Sequence, residues 1–240
     1  MKPMRIRNIR KLVLIRHGQS LRNVFMRDFC FPGNKARESV GNMQDRLCSL
    51  TGRGENQARI AGLRLKKLFG VPAGIIHSGF TRAEHTANGI LSAYNMQDRE
   101  RIAFSENNLI RERNSGYLGN MTFEEVREYF PWSHDAWLFS DPFTHIPPGG
   151  ESIADICEGR VRIFLDRLDG DFSGFTDPTV FVVSHGRTVQ SIRYLLEGWN
   201  HNRMNYSLKN EIPPNCSATV YEFSGAGRPD LKYANRKFRR

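Results

Sequence analysis

Two histidines in this chain of 240 residues stand where short apolar runs end, at Arg16-His17-Gly18 and Ser184-His185-Gly186. A third apolar run ends at Ser78, with Arg82 one turn into the helical pattern that follows. A neutral imidazole nitrogen can attack phosphorus and hold the phosphoryl group covalently, splitting one transfer into two. Arginine presents a planar, permanently charged fork that matches phosphate oxygens. A second imidazole that donates a hydrogen bond stabilises charge on those oxygens in flight. The leaving oxygen then needs a proton. Glu112, within Leu109-Ile-Arg-Glu-Arg-Asn-Ser-Gly116, is the best candidate donor, and a carboxyl beside a phosphate dianion holds its proton. Glu84 and Glu151 are the acids that could displace it. A metal reading competes, because His17, His185 and Glu112 make a two-His-one-carboxylate set. Arg16 and Arg82 argue against it, since guanidiniums repel a cation and attract an anion.

The elements that must position these groups read as α/β. The runs 12–15, 74–77 and 180–184 are continuous apolar stretches, the pattern of strands covered on both faces. Helical patterns over 51–69, 81–94, 151–168 and from just after Gly186 to about Glu197 alternate with them. That alternation predicts a three-layer sandwich, a mostly parallel central sheet with helices on both faces, in a single domain over 1–240. In such a sheet, ligands bind at the carboxyl edge of the strands, where helix N-termini add N–H donors for an anion. The segments 23–47 and 117–150 are long and rich in Gly, Pro and aromatics, and they are expected to build over that edge. Most aromatics from Tyr117 to Phe143 read as packing. Trp137 and Phe143 are the residues singled out to test for a leaving-group pocket with apolar walls.

The motifs follow one another in an order that resembles the larger branch of the histidine phosphatase superfamily, the phosphoglycerate-mutase-like proteins. Leu14-Ile-Arg-His-Gly-Gln-Ser-Leu-Arg-Asn23 is similar to its RHGxSxxN signature, and Leu50-Thr-Gly-Arg-Gly-Glu-Asn-Gln-Ala58 to its LTxxGxxQA helix start. Ser78-Gly-Phe-Thr-Arg-Ala-Glu-His-Thr-Ala87 resembles SxxxRAxxTA, and Pro148-Gly-Gly-Glu-Ser152 and Val183-Ser-His-Gly186 complete the set. A single such triplet is weak; five in order over about 11–198 are strong. The resemblance implies the phosphoglycerate-mutase-like fold and a phosphohistidine on His17, with His185 as partner imidazole. It further implies Arg16, Arg82 and Asn23 as phosphate ligands and Glu112 as general acid, without metal or organic cofactor. The expected activity is hydrolysis of a phosphomonoester, the substrate being a phosphorylated small molecule of unread identity. A mutase shares the phosphohistidine step and is the nearest alternative. Mutases of this fold carry a tryptophan-containing segment after RHG, an ERHYG-like run at the acid, and asparagine after the second His-Gly. This chain has Leu21-Arg22-Asn23, Glu112-Arg-Asn-Ser-Gly116 and Arg187 instead.

The net charge of +10 is unevenly spread. Residues 1–11 hold five basic side chains and no acid, and 228–240 hold six against Asp230 alone, so the stretch between them balances its charges. Such ends leave open a polyanion contact, or they are simply solvated tails. They also sustain a third alternative, a non-catalytic binding protein, against which the intact catalytic set speaks. Cysteines 30, 48, 157 and 216 form no CxxC pair and are expected to be buried free thiols in a reducing compartment. The run 12–15 is too short for a signal-peptide core or a membrane span, and the protein is expected to be cytoplasmic. His77, His85, His134, His145 and His201 fall at no motif position and read as structural.

Overall fold

A computed structural model describes residues 2–26, 30–41, 43–139 and 141–238, with the side chains of 137–139 outside the description. Apolar residues alternate between two layers along each central strand, and this alternation organises the fold. In β1 (Lys11–Arg16), Leu12 and Leu14 enter one core cluster while Val13 and Ile15 enter the other. Likewise, β2 (Gly74–His77) sends Ile76 to the first and Ile75 to the second. The strands β3 (Ala103–Glu106), β4 (Thr179–Ser184), β5 (Ala218–Phe223) and β6 (Pro229–Arg236) complete a sheet of order β3-β2-β4-β1-β5-β6. The first four are mutually parallel, with Arg16 opposite Ser184, whereas β5 and β6 run antiparallel. The sheet is therefore mixed at one edge.

Short helices α1 (Leu21–Phe25) and α2 (Asn34–Val40) precede the long α3 (Gly52–Phe69), which is followed by α4 (Thr81–Leu91) and α5 (Met96–Glu100). Next come α6 (Phe123–Tyr129), α7 (Pro131–Phe139), α8 (Ile153–Ile156), α9 (Arg162–Asp171), α10 (Gly186–Glu197) and α11 (His201–Asn210). One face of the sheet is covered by α3 and α4, through Ala58, Ala61, Leu65, Ala83, Ala87 and Ile90. The other is covered by α8 to α11, whose Ile153, Phe164, Leu165, Ile192 and Leu196 meet Leu12, Val180 and Tyr221. This is the three-layer α/β arrangement expected from the sequence. The helix expected over 151–168 begins at Ile153 and carries a wider turn at Cys157–Val161, where Gly159 leaves helical geometry. That expected over 81–94 ends at Leu91, and Tyr94 folds back so that its hydroxyl donates to the Gly70 carbonyl at 3.0 Å.

The basic ends are not solvated tails over the residues described. Ile6 and Ile9 are buried in the first core cluster, and the Arg7 and Asn8 N–H groups donate to Asp169. At the other end, 229–236 is the edge strand β6. The docking was not foreseen because short segments rich in Arg and Lys carry no period that betrays a docked strand, while Ile6 and Ile9 are single apolar residues; the basic side chains themselves remain largely exposed. All four cysteines are free and buried, as expected. No helix among the described residues is long and apolar enough to cross a membrane.

Candidate active site

The carboxyl ends of β1, β2 and β4 open side by side, and the groups read from the sequence gather there. His17 and His185 are buried, with ring centroids 5.1 Å apart and planes at 59°. The His17 Nδ1 donates to the Gly18 carbonyl at 2.7 Å. A carbonyl can only accept, so the hydrogen lies on Nδ1 and Nε2 keeps its lone pair. His185 Nε2 lies 2.7 Å from Ser78 Oγ, whose hydroxyl also accepts from the Phe80 N–H at 3.5 Å. With Ser78 donating, the His185 hydrogen sits on Nδ1, and that buried atom has no hydrogen-bond partner. It stands 3.6 Å from Glu112 Oε2. In that tautomer Nδ1 is an orphaned donor, one that an incoming anion satisfies.

Burial first, and then the Arg82 and Arg16 charges, hold the His17 pKa well below the usual histidine range. The same holds for His185, through burial, Arg82 and His17 in that order. Burial also lowers Arg16, with Arg82 adding to it and Glu112 opposing. Arg16 Nη1 donates to the Pro213 carbonyl at 2.6 Å, while its buried Nε is without a partner. Arg82 stacks on Phe80, 4.9 Å from the ring centroid, and Phe80 in turn packs its edge on His185. Both imidazoles are therefore neutral nucleophile or donor at neutral pH, within a positive surround.

The motif residues around them explain themselves. Thr51 caps α3 and its hydroxyl also donates to Gln19, while Gln57 accepts from the Gln19 N–H at 2.9 Å. Gly54 has to be a glycine, since a Cβ there would meet the Gln19 carbonyl at 2.1 Å. Thr86 accepts from the Gly18 N–H at 2.9 Å and donates to the Arg82 carbonyl at 2.7 Å. Two motifs thus hold the turn that carries His17. Glu112 is pinned by its neighbours. Ser184 donates to the Ile110 carbonyl, Thr188 to that of Arg111 and Arg160 to that of Leu109. Glu151, one of the rival acids, is engaged in ion pairs with Arg111 and Arg160 and supports this loop from behind.

A cavity of about 670 Å³ opens over these groups, lined by Arg16, His17, Asn23, Arg82 and Glu112 among others. His185 is fully buried beside His17, which does line it. The Asn23 Oδ1 accepts from the Ser20 N–H and from Asn215 Nδ2, which also reaches the His17 carbonyl at 3.0 Å. Asn215, Asp45 and Ser78 carry contacts that sequence reasoning assigned to no site; Ser78 had a signal, as the first residue of SxxxRAxxTA. Met26, Asp45, Gly119 and Asn120 confirm that 23–47 and 117–150 contribute to the rim. Phe143 does not. It is buried against Tyr194 and His201, on the α10–α11 side, because its N–H is held by Asp141 and Asn205. Trp137 lies outside the described side chains. Cys216 backs the site, its N–H donating to the Arg16 carbonyl at 3.0 Å, and burial pushes its thiol up to about 12.

Residues 12–236 match the histidine phosphatase superfamily (branch 1). The chain belongs to that family. It is 31% identical over 196 residues to a 2,3-bisphosphoglycerate-dependent phosphoglycerate mutase of Bartonella tribocorum, covering 80% of this chain and 83% of that one. A Cytophaga hutchinsonii protein of the same name is 30% identical, with 78% and 76% covered. Among solved structures, a mycobacterial glucosyl-3-phosphoglycerate phosphatase superposes with a TM-score of 0.72 at 23% identity, over 95% of this chain and 100% of that one. The α-ribazole phosphatase of Shigella flexneri gives 0.72 at 21% identity, over 94% and 96%. The structural likenesses show the fold. The superfamily contains both mutases and phosphatases, so this histidine phosphatase superfamily member is placed among enzymes of phosphoryl transfer.

Proposed function

We propose that the protein is a metal-independent phosphatase that hydrolyses a phosphomonoester through a phosphohistidine on His17. The observation that carries the phosphohistidine is the tautomer of His17: Nδ1 is spent on Gly18 and Nε2 is left nucleophilic in the field of two guanidiniums. In the first step the Nε2 lone pair forms the N–P bond, the P–O ester bond breaks, and Glu112 gives its proton to the leaving oxygen. In the second, Glu112 takes a proton from water, the hydroxyl oxygen bonds to phosphorus, and the N–P bond breaks to return neutral His17. Arg16, Arg82 and Asn23 hold the phosphoryl oxygens, with His185 Nδ1 donating to the charge that builds on them.

His17, Glu112 and His185 offer ligand atoms within 4.8 Å of one another, a spacing that a divalent ion can bridge. Against that, Arg82 and Arg16 act on both imidazoles, and the same field repels a cation. A mutase is the second reading, favoured by the names of the relatives at 30–31% identity. The arginines at 22 and 187, where mutases of this fold carry other residues, favour hydrolysis. Incubating the enzyme with a panel of phosphate esters in chelator tests all of this. Inorganic phosphate should be released, and an acid-labile phosphoenzyme should form that His17→Ala abolishes. Interconversion of phosphoglycerates faster than phosphate release would make it a mutase, and loss of turnover in chelator would restore the metal.

A further inference from the structure

Asp45 lies on the single turn Asp45–Leu47 between α2 and α3, in the stretch that reaches over the carboxyl edge. Its side chain is 37% exposed at the cavity rim, yet both carboxylate oxygens are engaged by arginine. Arg82 Nη1 donates to the Asp45 carbonyl at 2.6 Å and to Oδ1 at 3.0 Å, and Nη2 donates to Oδ2 at 3.3 Å. Oδ1 also lies 3.2 Å from Arg22 Nε. Arg22 in turn donates to the Gly119 carbonyl, and Gly119 also lines the cavity.

The three contacts to Arg82 grip the far end of the guanidinium, both terminal nitrogens at once. Among the described residues, the edge formed by Nε and the remaining Nη2 hydrogen has no acceptor. A planar fork held at one edge can turn only the other toward a ligand. We infer that Asp45 is a positioning residue, which selects the Nε edge of Arg82 as the face that meets the phosphoryl group. The ion pair to Arg22 fixes Asp45 itself, so the rim of α1 and the 116–120 turn brace the phosphate arginine. This rests on Arg82 being a phosphate ligand, as proposed above. A rigid donor matters most where the oxygens spread toward a planar arrangement in the transition state, and least for a tetrahedral anion.

That difference supplies a test in which charge cancels. Removing a carboxylate draws any anion in more strongly, whereas losing orientation penalises only the geometry of the transition state. Isothermal titration with orthovanadate and with orthophosphate, on wild-type protein and on Asp45→Ala and Asp45→Asn, gives the ratio of the two affinities. The preference for vanadate should fall by about tenfold in Asp45→Ala and by less in Asp45→Asn, which keeps one acceptor oxygen. Turnover should fall in the same order, through kcat more than KM. An unchanged ratio in whichever variant folds would overturn the inference, whether both anions bind more tightly or the melting temperature alone drops. In the first case Asp45 merely competes with phosphate for Arg82; in the second it only holds the fold. Wild-type protein that binds neither anion would instead overturn the phosphatase reading.

Discussion

Neutrality of the two buried imidazoles has a thermodynamic price that falls on the acid side. Burial and Arg82 hold both pKa values well below the ordinary 6.5, so the folded protein refuses protons that the unfolded chain accepts. As pH falls below that value the unfolded state gains, by about 1.4 kcal/mol per pH unit for each histidine, until the folded pKa is reached. Well above 6.5 neither histidine contributes. Denaturation of wild-type protein and of His17→Gln at pH values below about 6.5 should show a shallower loss in the variant. Parallel slopes would mean that His17 is protonated in the folded protein. At this scale the sequence was most legible. Arg16, His17, Arg82, Glu112 and Asn23 line the cavity and His185 is buried beside His17. Arg16, His17, Arg82 and His185 sit at a strand end or helix start that the apolar pattern locates, whereas Glu112 and Asn23 lie off those elements and were found by motif. Asp45 and Asn215 were not legible, since they come from connections whose path no periodicity constrains.

Between elements, close approach decides the geometry. The start of α3 lies against the turn after His17 so tightly that only hydrogen fits at Gly54. Gly54→Ala should force the two apart, costing about 1–3 kcal/mol and lowering turnover as the Gln57 and Thr51 contacts to Gln19 stretch. Differential scanning calorimetry with a steady-state assay checks this; unchanged stability and turnover would show that the turn yields without cost. The helices of this layer were readable from their apolar spacing. The edge strands β3 and β6 were not, because neither shows a continuous apolar run; all four residues of β3 are exposed and β6 is nearly all so. The aromatic segment misled for a related reason. Phe143 is as apolar as a pocket wall needs to be, and nothing local says that α10 claims it first.

For the whole molecule, the ends and the site share one sheet. His17 follows β1, which pairs with β5, and β5 is flanked by β6. Deleting 229–240 should therefore lower the melting temperature and promote self-association through the bared edge of β5. Deleting 1–10 removes two buried isoleucines, each worth about 1.5–3 kcal/mol. Thermal melts and light scattering on both truncations check these outcomes. Full stability in either would show that the docked end contributes nothing. We propose a single domain for the chain, and cooperative melting of the intact protein is its natural companion measurement.

The cysteine behind the nucleophile adds a practical property. With its thiol pushed up to about 12, Cys216 presents almost no thiolate at neutral pH and is buried with Ala218 and Val220 of β5 in the second core cluster. Alkylating reagents should pass over it while the molecule is closed and label it once this corner opens. Residue 216 is thus a reporter supplied by nature, whose modification rate clocks the opening of the catalytic corner without any engineered probe.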